Sequence, residues 1–327
     1  MRFLYLIAVA ATAAETIPVP IRPEVAQELS RAIDLEYQGQ IKEAERIVLN
    51  VIRNAEAANS NSMELGIALN NLAVLYVSTN RYADAEQYFT RSLRVLESIP
   101  GEVAQQVVAK AKIHLAAVYL ETDRGDEAMK LDVPSLVDLL LVPEDRARAK
   151  CSMAGMAAWR KDLNTAERLY AEVLAFWREP SRAAASQAEI ATILNNMGAV
   201  ALDQGRNDIA LTRLEQSLIA WQSILGPQHP TLAKAMANLG AVSMRLKKYG
   251  DAAMWMGRAA ELGRTAFGEL HPFTVSAQFA HADALKKAGR KSEASIVARA
   301  ASAVRKMMRN PSTSSYVVSY RDLKAKR

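Results

Sequence analysis

Pairs of small residues twelve positions apart recur along the chain and constrain its fold more than any other feature. Apolar residues flank each pair, and the pairs are Ala32/Ala44, Ala73/Ala85, Ala116/Ala128, Ala154/Ala166, Gly198/Ala210, Gly240/Ala252 and Ala282/Ala294. Their second members follow one another at intervals of 41, 43, 38, 44, 42 and 42 residues. Because small residues let two helix backbones approach closely, each pair predicts the crossing point of a helical hairpin. The near-constant period predicts seven such hairpins in succession.

A further motif occurs at two junctions between hairpins, Leu225-Gly-Pro-Gln-His-Pro-Thr-Leu232 and Phe267-Gly-Glu-Leu-His-Pro-Phe-Thr274. Asn-Asn-Leu-Ala at Asn70–Ala73 and Asn-Asn-Met-Gly at Asn195–Gly198 belong to the same pattern. Together with the period near 42 residues, these motifs resemble tetratricopeptide repeats (TPR) of the kinesin-light-chain type. The resemblance covers about residues 24 to 308. It implies an all-α fold, a right-handed α-solenoid (superhelix) of about seven helix-turn-helix hairpins.

Four segments are expected. Residues 1–14 combine a positive Arg2, an apolar core and the small residues Ala11-Thr12-Ala13, which is typical of a signal peptide cleaved near Ala13 or Ala14. Cleavage predicts export to a periplasmic or extracellular location, whereas an uncleaved start packed on the first hairpin predicts a cytoplasmic one. Residues 15–23 form a Pro-rich extended lead-in, 24–308 the solenoid and 309–327 a basic tail. No stretch of the sequence reaches the length of a membrane span.

The third and fourth hairpins depart from the regular pattern. Pro134 falls inside the second helix of the third hairpin, where it removes a backbone hydrogen bond and clashes with the preceding turn. We expect a kink or break near Val133, with Asp132 capping a new helix start, followed by an apolar segment from Leu136 to Val142. The break is interpreted as a tolerated irregularity, and a special binding notch is the alternative.

Positive charge is concentrated at the C-terminal end. The chain carries 41 Lys and Arg against 35 Asp and Glu, a net charge of +6. Residues 299–327 contain eight of the cations and one acid, a net +7, so residues 1–298 sum to about −1. The body of the solenoid therefore lacks the charge of a nucleic-acid-binding surface, and the basic end is interpreted as a solubilising tail.

Catalysis, metal binding and cofactor binding are not expected. The histidines, His114, His229, His271 and His281, have no partner at metal-ligand spacing, and no phosphate-binding glycine loop or nucleophile elbow occurs. The single cysteine excludes an intrachain disulfide. Cys151 follows His114 by one repeat, but a buried or groove-lining thiol is favoured over a Cys-His nucleophile.

In repeats of this type, the first helices line a concave face where ligands bind. Two positions on each first helix, two and six residues before the small residue, are expected to face that groove. The candidate peptide-binding residues at these positions are Asn71, Lys110, His114, Arg148, Asn196, Lys234 and Asn238. Asparagine can pair with the N–H and the C=O of an extended peptide. Alternatively, Asn71, Asn196 and Asn238 tie neighbouring helices together.

The local positive group of Lys110, His114 and Arg148 next to Asn71 resembles the carboxylate-clamp TPR domains, which hold a peptide's C-terminal carboxylate. His114 stands where that family often has arginine, and the first hairpin offers Ser30 and Ala26 instead of the clamp pair. We therefore expect a non-catalytic scaffold that binds a protein or peptide, including an acidic or C-terminal carboxylate-bearing one. The alternatives are a structural module that self-associates and an adaptor whose basic tail meets an anionic surface.

Overall fold

A computed structural model describes residues 21–182 and 186–308 of the chain. The predicted signal peptide, most of the lead-in and the basic tail lie outside these described residues. Every regular element within them is helical. In chain order the helices are α1 (Pro23–Tyr37), α2 (Ile41–Ala58), α3 (Met63–Ser78), α4 (Tyr82–Leu96), α5 (Glu102–Glu121), α6 (Gly125–Met129), α7 (Val133–Leu136), α8 (Pro143–Trp159), α9 (Leu163–Trp177), α10 (Gln187–Asp203), α11 (Asn207–Leu225), α12 (Leu232–Arg245), α13 (Tyr249–Phe267), α14 (Pro272–Lys287) and α15 (Lys291–Met308).

These helices form the seven predicted hairpins: α1/α2, α3/α4, α5 with α6 and α7, α8/α9, α10/α11, α12/α13 and α14/α15. Both members of every predicted small-residue pair are buried. At Gly198 an added Cβ would lie 2.7 Å from Leu214 Cγ and 3.4 Å from the carbonyl oxygen of Ala210. The predicted close approach of the two helices in each hairpin is therefore confirmed. Among the described residues, no helix is long and apolar enough to cross a membrane.

All seven hairpin turns use the same left-handed backbone position, five residues before the second small residue. These residues are Gly39, Asn80, Asp123, Lys161, Gly205, Lys247 and Gly289, with φ between 58° and 83°. At each turn the next N–H donates to the carbonyl five residues before it, as in Arg81 to Tyr76 at 2.8 Å and Arg290 to Leu285 at 2.9 Å. This Schellman arrangement closes every first helix and fixes the direction in which the second helix leaves.

The third hairpin is broken where Pro134 predicts a break. Its second arm consists of the five-residue α6, a turn at residues 130–132 and the four-residue α7. The expectation that Asp132 caps the new helix is wrong. Asp132 adopts a left-handed conformation with φ 47°, whereas an N-cap residue needs an extended one, and its carboxylate accepts the Ser135 hydroxyl at 2.6 Å instead.

Two smaller expectations at helix starts need correction. Pro23, assigned to the extended lead-in, is the first residue of α1, and Pro143, assigned to a junction, is the first residue of α8. Proline suits the first position of a helix because the N–H that it lacks would be unpaired there anyway.

The chain packs as two compact units that divide between Asn238 and Leu239, within α12. The first unit contains the first five hairpins and the start of α12. Its core includes the fully buried Leu69, Phe89 and Trp177. The second unit contains the rest of α12, α13, α14 and α15, and its core is built largely from small residues such as Ala252, Ala253 and Ala284, with Leu285.

Candidate functional site

The seven predicted peptide-binding residues all lie on first helices, and we call them the inner row. Asn71 lies on α3, Lys110 and His114 on α5, Arg148 on α8, Asn196 on α10, and Lys234 and Asn238 on α12. Their accessibility differs. Asn71, Lys110, His114 and Arg148 are half-buried, whereas Asn196, Lys234 and Asn238 are buried.

Lys110 and Arg148 meet two acids that the sequence reasoning did not include. Lys110 Nζ lies 2.5 Å from Asp145 Oδ2, and Arg148 contacts Asp145 at 3.0 Å and Glu189 at 2.8 Å. The Arg148 guanidinium carbon is also 5.5 Å from the Trp177 ring centre. We call Lys110, Asp145, Arg148 and Glu189 the four-charge cluster. Its formal charge is zero, so it presents no excess positive charge to a ligand.

Burial sets the protonation behaviour of this cluster. The side chain of Glu189 is 2% exposed, and burial raises its pKa even though the ion pair with Arg148 acts in the opposite direction. Burial also lowers the pKa of His114 to about 4, and the positive charges of Arg148 and Lys110 add to this effect. His114 is therefore a neutral imidazole near pH 7.

His114 keeps hydrogen-bonding capacity unused. Its ring packs against Phe89 with 5.8 Å between ring centres. Its Nδ1 atom is buried and has no hydrogen-bond partner among residues 21–182 and 186–308. Because a buried polar atom without a partner costs free energy, His114 can gain from a ligand group that completes this bond.

The asparagines of the later first helices bond to one another. Asn238 Nδ2 donates to Asn195 Oδ1 at 3.0 Å, and Asn195 Nδ2 donates to Asn196 Oδ1 at 3.2 Å. This ladder ties α12 to α10. For Asn238 the structure therefore shows the helix-tying role that was left open beside peptide binding, whereas the bond of Asn196 to Asn195 lies within α10.

Lys234 is held by residues from the second and third hairpins. Its Nζ atom bonds the Tyr82 hydroxyl and lies 3.3 Å from Glu121 Oε2, which is 113 residues earlier in the chain. The side chains of Lys234 and Glu121 are 6% and 1% exposed. Glu121 Oε1 has no hydrogen-bond partner within the described residues. We call Tyr82, Glu121 and Lys234 the α12 clamp.

A second contact joins the junction before α12 to the first hairpin. His229 Nε2 lies 3.1 Å from the carbonyl oxygen of Glu36, across 193 residues of chain. The Thr231 N–H donates to His229 Nδ1 at 3.3 Å, so Nε2 carries the proton that the Glu36 carbonyl accepts. Burial lowers the pKa of His229, which favours this neutral form.

The structure thus separates the inner row into two groups. Lys234 and Asn238 tie helices of the first unit together and Asn196 is buried on α10, while Asn71, Lys110, His114 and Arg148 retain partial exposure on α3, α5 and α8. The acids of the site escaped the sequence reasoning, although a signal exists. Glu64, Asp145 and Glu189 each stand nine residues before the small residue of their hairpin. This position lies three residues, about one helical turn, before the position that Lys110 and Arg148 occupy in their hairpins.

Comparison with known proteins agrees with this fold. The family model for the tetratricopeptide repeat matches residues 25–98, 189–244 and 231–307, more than half of the chain. The chain belongs to the tetratricopeptide-repeat family. Protein KINESIN LIGHT CHAIN-RELATED 3 of Arabidopsis thaliana is 23% identical over 238 residues, which are 71% of this chain and 36% of that protein. The expected kinesin-light-chain resemblance is confirmed, and the TPR chain spans about a third of this relative's length.

Solved structures share the fold of this TPR protein at low identity. A Rap protein complexed with competence and sporulation factor has a TM-score of 0.63 and 14% identity, with 88% of this chain and 78% of that chain covered. NprR in complex with its cognate peptide NprX has a TM-score of 0.56 and 13% identity, with 85% and 76% covered. These likenesses establish the α-solenoid fold.

Proposed function

We propose that this TPR protein is a non-catalytic scaffold that binds a peptide or protein segment on the first-helix face of its first unit. The observation that carries the proposal is the partly exposed polar group Asn71, Lys110 and His114 on adjacent first helices. An amide, an ammonium and a neutral imidazole can together bond the backbone and a carboxylate of an extended segment. The complex of the Rap protein with competence and sporulation factor and the complex of NprR with its cognate peptide support this use of the fold.

Lys110 is the cation of the inner row best suited to meet a ligand carboxylate. Its side chain is 32% exposed, against 12% for Arg148 and 6% for Lys234. A carboxylate of the bound segment, from an acidic side chain or the C-terminus, would share the Lys110 ammonium with Asp145. Arg148 acts behind it, holding Asp145 and Glu189, and is a positioning residue in this proposal.

The test is peptide selection on the unaltered chain followed by titration of variants. Peptides are selected from a random-sequence display library, and their dissociation constants are measured by calorimetry for Lys110→Ala and Lys112→Ala. Lys112 is the matched control because it lies on the same helix with 29% of its side chain exposed and pairs with Glu97 at 3.0 Å. Loss of a charge-assisted hydrogen bond should weaken binding by Lys110→Ala roughly 10-fold or more.

The proposal predicts that Lys112→Ala binds within twofold of the unaltered chain, and that Asn71→Ala and His114→Ala each weaken binding. Selection of no peptide, or equal affinities for all four variants, would overturn it. Sedimentation across a concentration range separates the self-association alternative, which predicts a mass that grows with concentration.

A further inference from the structure

The two units of this TPR protein carry opposite net charge. The described residues of the first unit contain 23 Lys and Arg against 28 Asp and Glu, a net −5. Residues 239–308 contain 12 Lys and Arg against 5 Asp and Glu, a net +7. All twelve of these cations are exposed. The positive charge therefore begins in the folded second unit, well before the basic tail.

Seven of the twelve cations concentrate at the two hairpin turns of the second unit. We call them the basic edge, and they are Arg245, Lys247, Lys248, Lys286, Lys287, Arg290 and Lys291. Arg245 and Lys287 occupy equivalent positions 42 residues apart, as do Lys248 and Arg290. Equivalent positions of consecutive repeats stack as neighbours, about 10 Å apart at helix-packing distances. The two turns therefore present one continuous row of cations.

Nearby acids offset only part of this charge. Lys287 pairs with Asp283 at 3.5 Å within α14, and Arg290, in the turn before α15, pairs with Glu293 of that helix at 2.6 Å. With Asp251 included, the seven cations face three acids, which leaves the edge at +4. The corresponding turn of the third hairpin differs in net charge, because its one cation, Arg124, lies among three acids, Asp123, Asp126 and Glu127. The turn geometry does not require the cations, because all seven turns share one backbone conformation.

We propose that the basic edge is a docking surface for an acidic segment of a partner protein. A polyproline II segment rises about 3.1 Å per residue with three residues per turn, so carboxylates three residues apart lie on one side of it, about 9 Å apart, and can meet cations of both turns. Five of the seven cations are lysines, whose flexible ammonium groups suit a carboxylate-rich segment without fixed geometry. Complementary charge of this kind accelerates association and makes binding depend on salt.

Two other anionic partners fit the edge less well. Stable membrane binding needs an apolar or lipid anchor beside the basic patch, and no large exposed hydrophobic side chain is found at described positions 245–249 or 285–291. Binding of single-stranded nucleic acid uses exposed aromatic rings, and the aromatic residue next to the edge, Tyr249, is half-buried at the start of α13.

The test uses the full chain and a fluorescent octapeptide of alternating Glu and Asp, with fluorescence anisotropy read at low and physiological salt. One variant neutralises the edge by Lys247→Gln, Lys248→Gln, Lys286→Gln and Lys291→Gln. The matched control neutralises four exposed cations of the first unit by Lys42→Gln, Arg53→Gln, Arg94→Gln and Lys130→Gln. Both variants lose the same total charge and keep the basic tail.

We expect the edge variant to bind the octapeptide at least tenfold more weakly at low salt, and the control to bind within twofold of the unaltered chain. Circular dichroism should show unchanged helicity in both. Equal loss in the two variants would overturn the proposal, since it would show attraction to total charge. Tighter binding to phosphatidylserine vesicles or to a single-stranded DNA oligomer than to the octapeptide would overturn it too. None of these outcomes tests the proposed Lys110 site, because binding there is measured separately with the Lys110→Ala variant.

Discussion

Gly198 lets α10 and α11 pack closely because it has no Cβ atom at their crossing point. The neighbouring Leu214 is fully buried, so its side chain has little room to move when a methyl group arrives 2.7 Å from Cγ. The absence of a side chain at this residue is therefore a packing requirement. It explains why α10 and α11 pack closely although they carry buried polar residues such as Asn195 and Ser217.

We expect Gly198→Ala to lower the free energy of unfolding by about 1–3 kcal/mol, because overpacking outweighs the gain in helix propensity. Gly250→Ala is the control, since Gly250 is helical and a Cβ there would meet nothing within 4 Å. That change should be neutral or stabilising by up to about 1 kcal/mol. Urea unfolding followed by circular dichroism measures both, and equal effects would contradict the packing argument.

The buried carboxyl of Glu36 makes the stability of the protein depend on pH. Burial raises its pKa from 4.5 to about 7, against a hydrogen bond from Ser78. Below pH 4.5 the carboxyl is protonated whether the chain is folded or unfolded, so it carries no penalty. Between pH 4.5 and 7 the unfolded chain ionises first, and stability falls as pH rises. Above pH 7 the penalty stays constant at about 3 kcal/mol.

Glu36→Gln should therefore stabilise the protein at pH 8 and leave its stability nearly unchanged at pH 4.5. Urea unfolding at the two pH values tests this, and a variant no more stable than the parent at pH 8 would show that Glu36 is not desolvated.

At the scale of elements, the start of α12 acts as a tie between distant hairpins. The α12 clamp joins it to the first residue of α4 and to the end of α5, and the Asn238–Asn195 bond joins it to α10. A buried ion pair contributes little net stability compared with apolar packing, but removal of one partner leaves an unpaired buried charge. The clamp therefore specifies where α12 docks more than it stabilises the fold.

Lys234→Met should cost about 3–5 kcal/mol of unfolding free energy, because Glu121 then remains buried alone. The double variant Lys234→Met with Glu121→Met should recover most of that loss. Lys150→Met is the control, since its pair with Glu172 is 46% and 41% exposed and should change stability by less than about 1 kcal/mol. Additive single and double effects in a denaturation series would refute the coupling.

At the scale of the whole molecule, local features were predictable and distant ones were not. Ala73 and Ala85 lie within one hairpin, so a periodic pattern revealed their contact, and Pro134 marked the break in the third hairpin by its own chemistry. Lys161 and Lys247 occupy the left-handed turn position, but because they are not glycines this conformation could not be predicted from the sequence. The partners of Lys234 lie three and more repeats away, and no periodicity within a hairpin relates such residues.

The acids around Lys110 and Arg148 form an intermediate case. Asp145 and Glu189 occupy the same repeat position as Glu64, nine residues before the small residue, so the pattern was present in the sequence. The prediction considered only the cations and amides of the first helices and therefore missed these acids. The sequence therefore predicted that the inner row lies on first helices, but it also predicted an excess of positive charge that the fold neutralises.

The contact between His229 and Glu36 also has a consequence for the order of events during protein synthesis. Hairpins of a repeat array can pack on their neighbours as soon as each emerges from the ribosome. The hydrogen-bond partner of the Glu36 carbonyl, however, is a histidine 193 residues later in the chain. Synthesis of these residues takes roughly 10–40 s at 5–20 residues per second. During that interval the carbonyl of Glu36 lacks its final partner, and Tyr82 and Glu121 can bond each other but lack Lys234. The last step in assembling the first unit is thus the arrival of α12, long after its earlier hairpins can have formed.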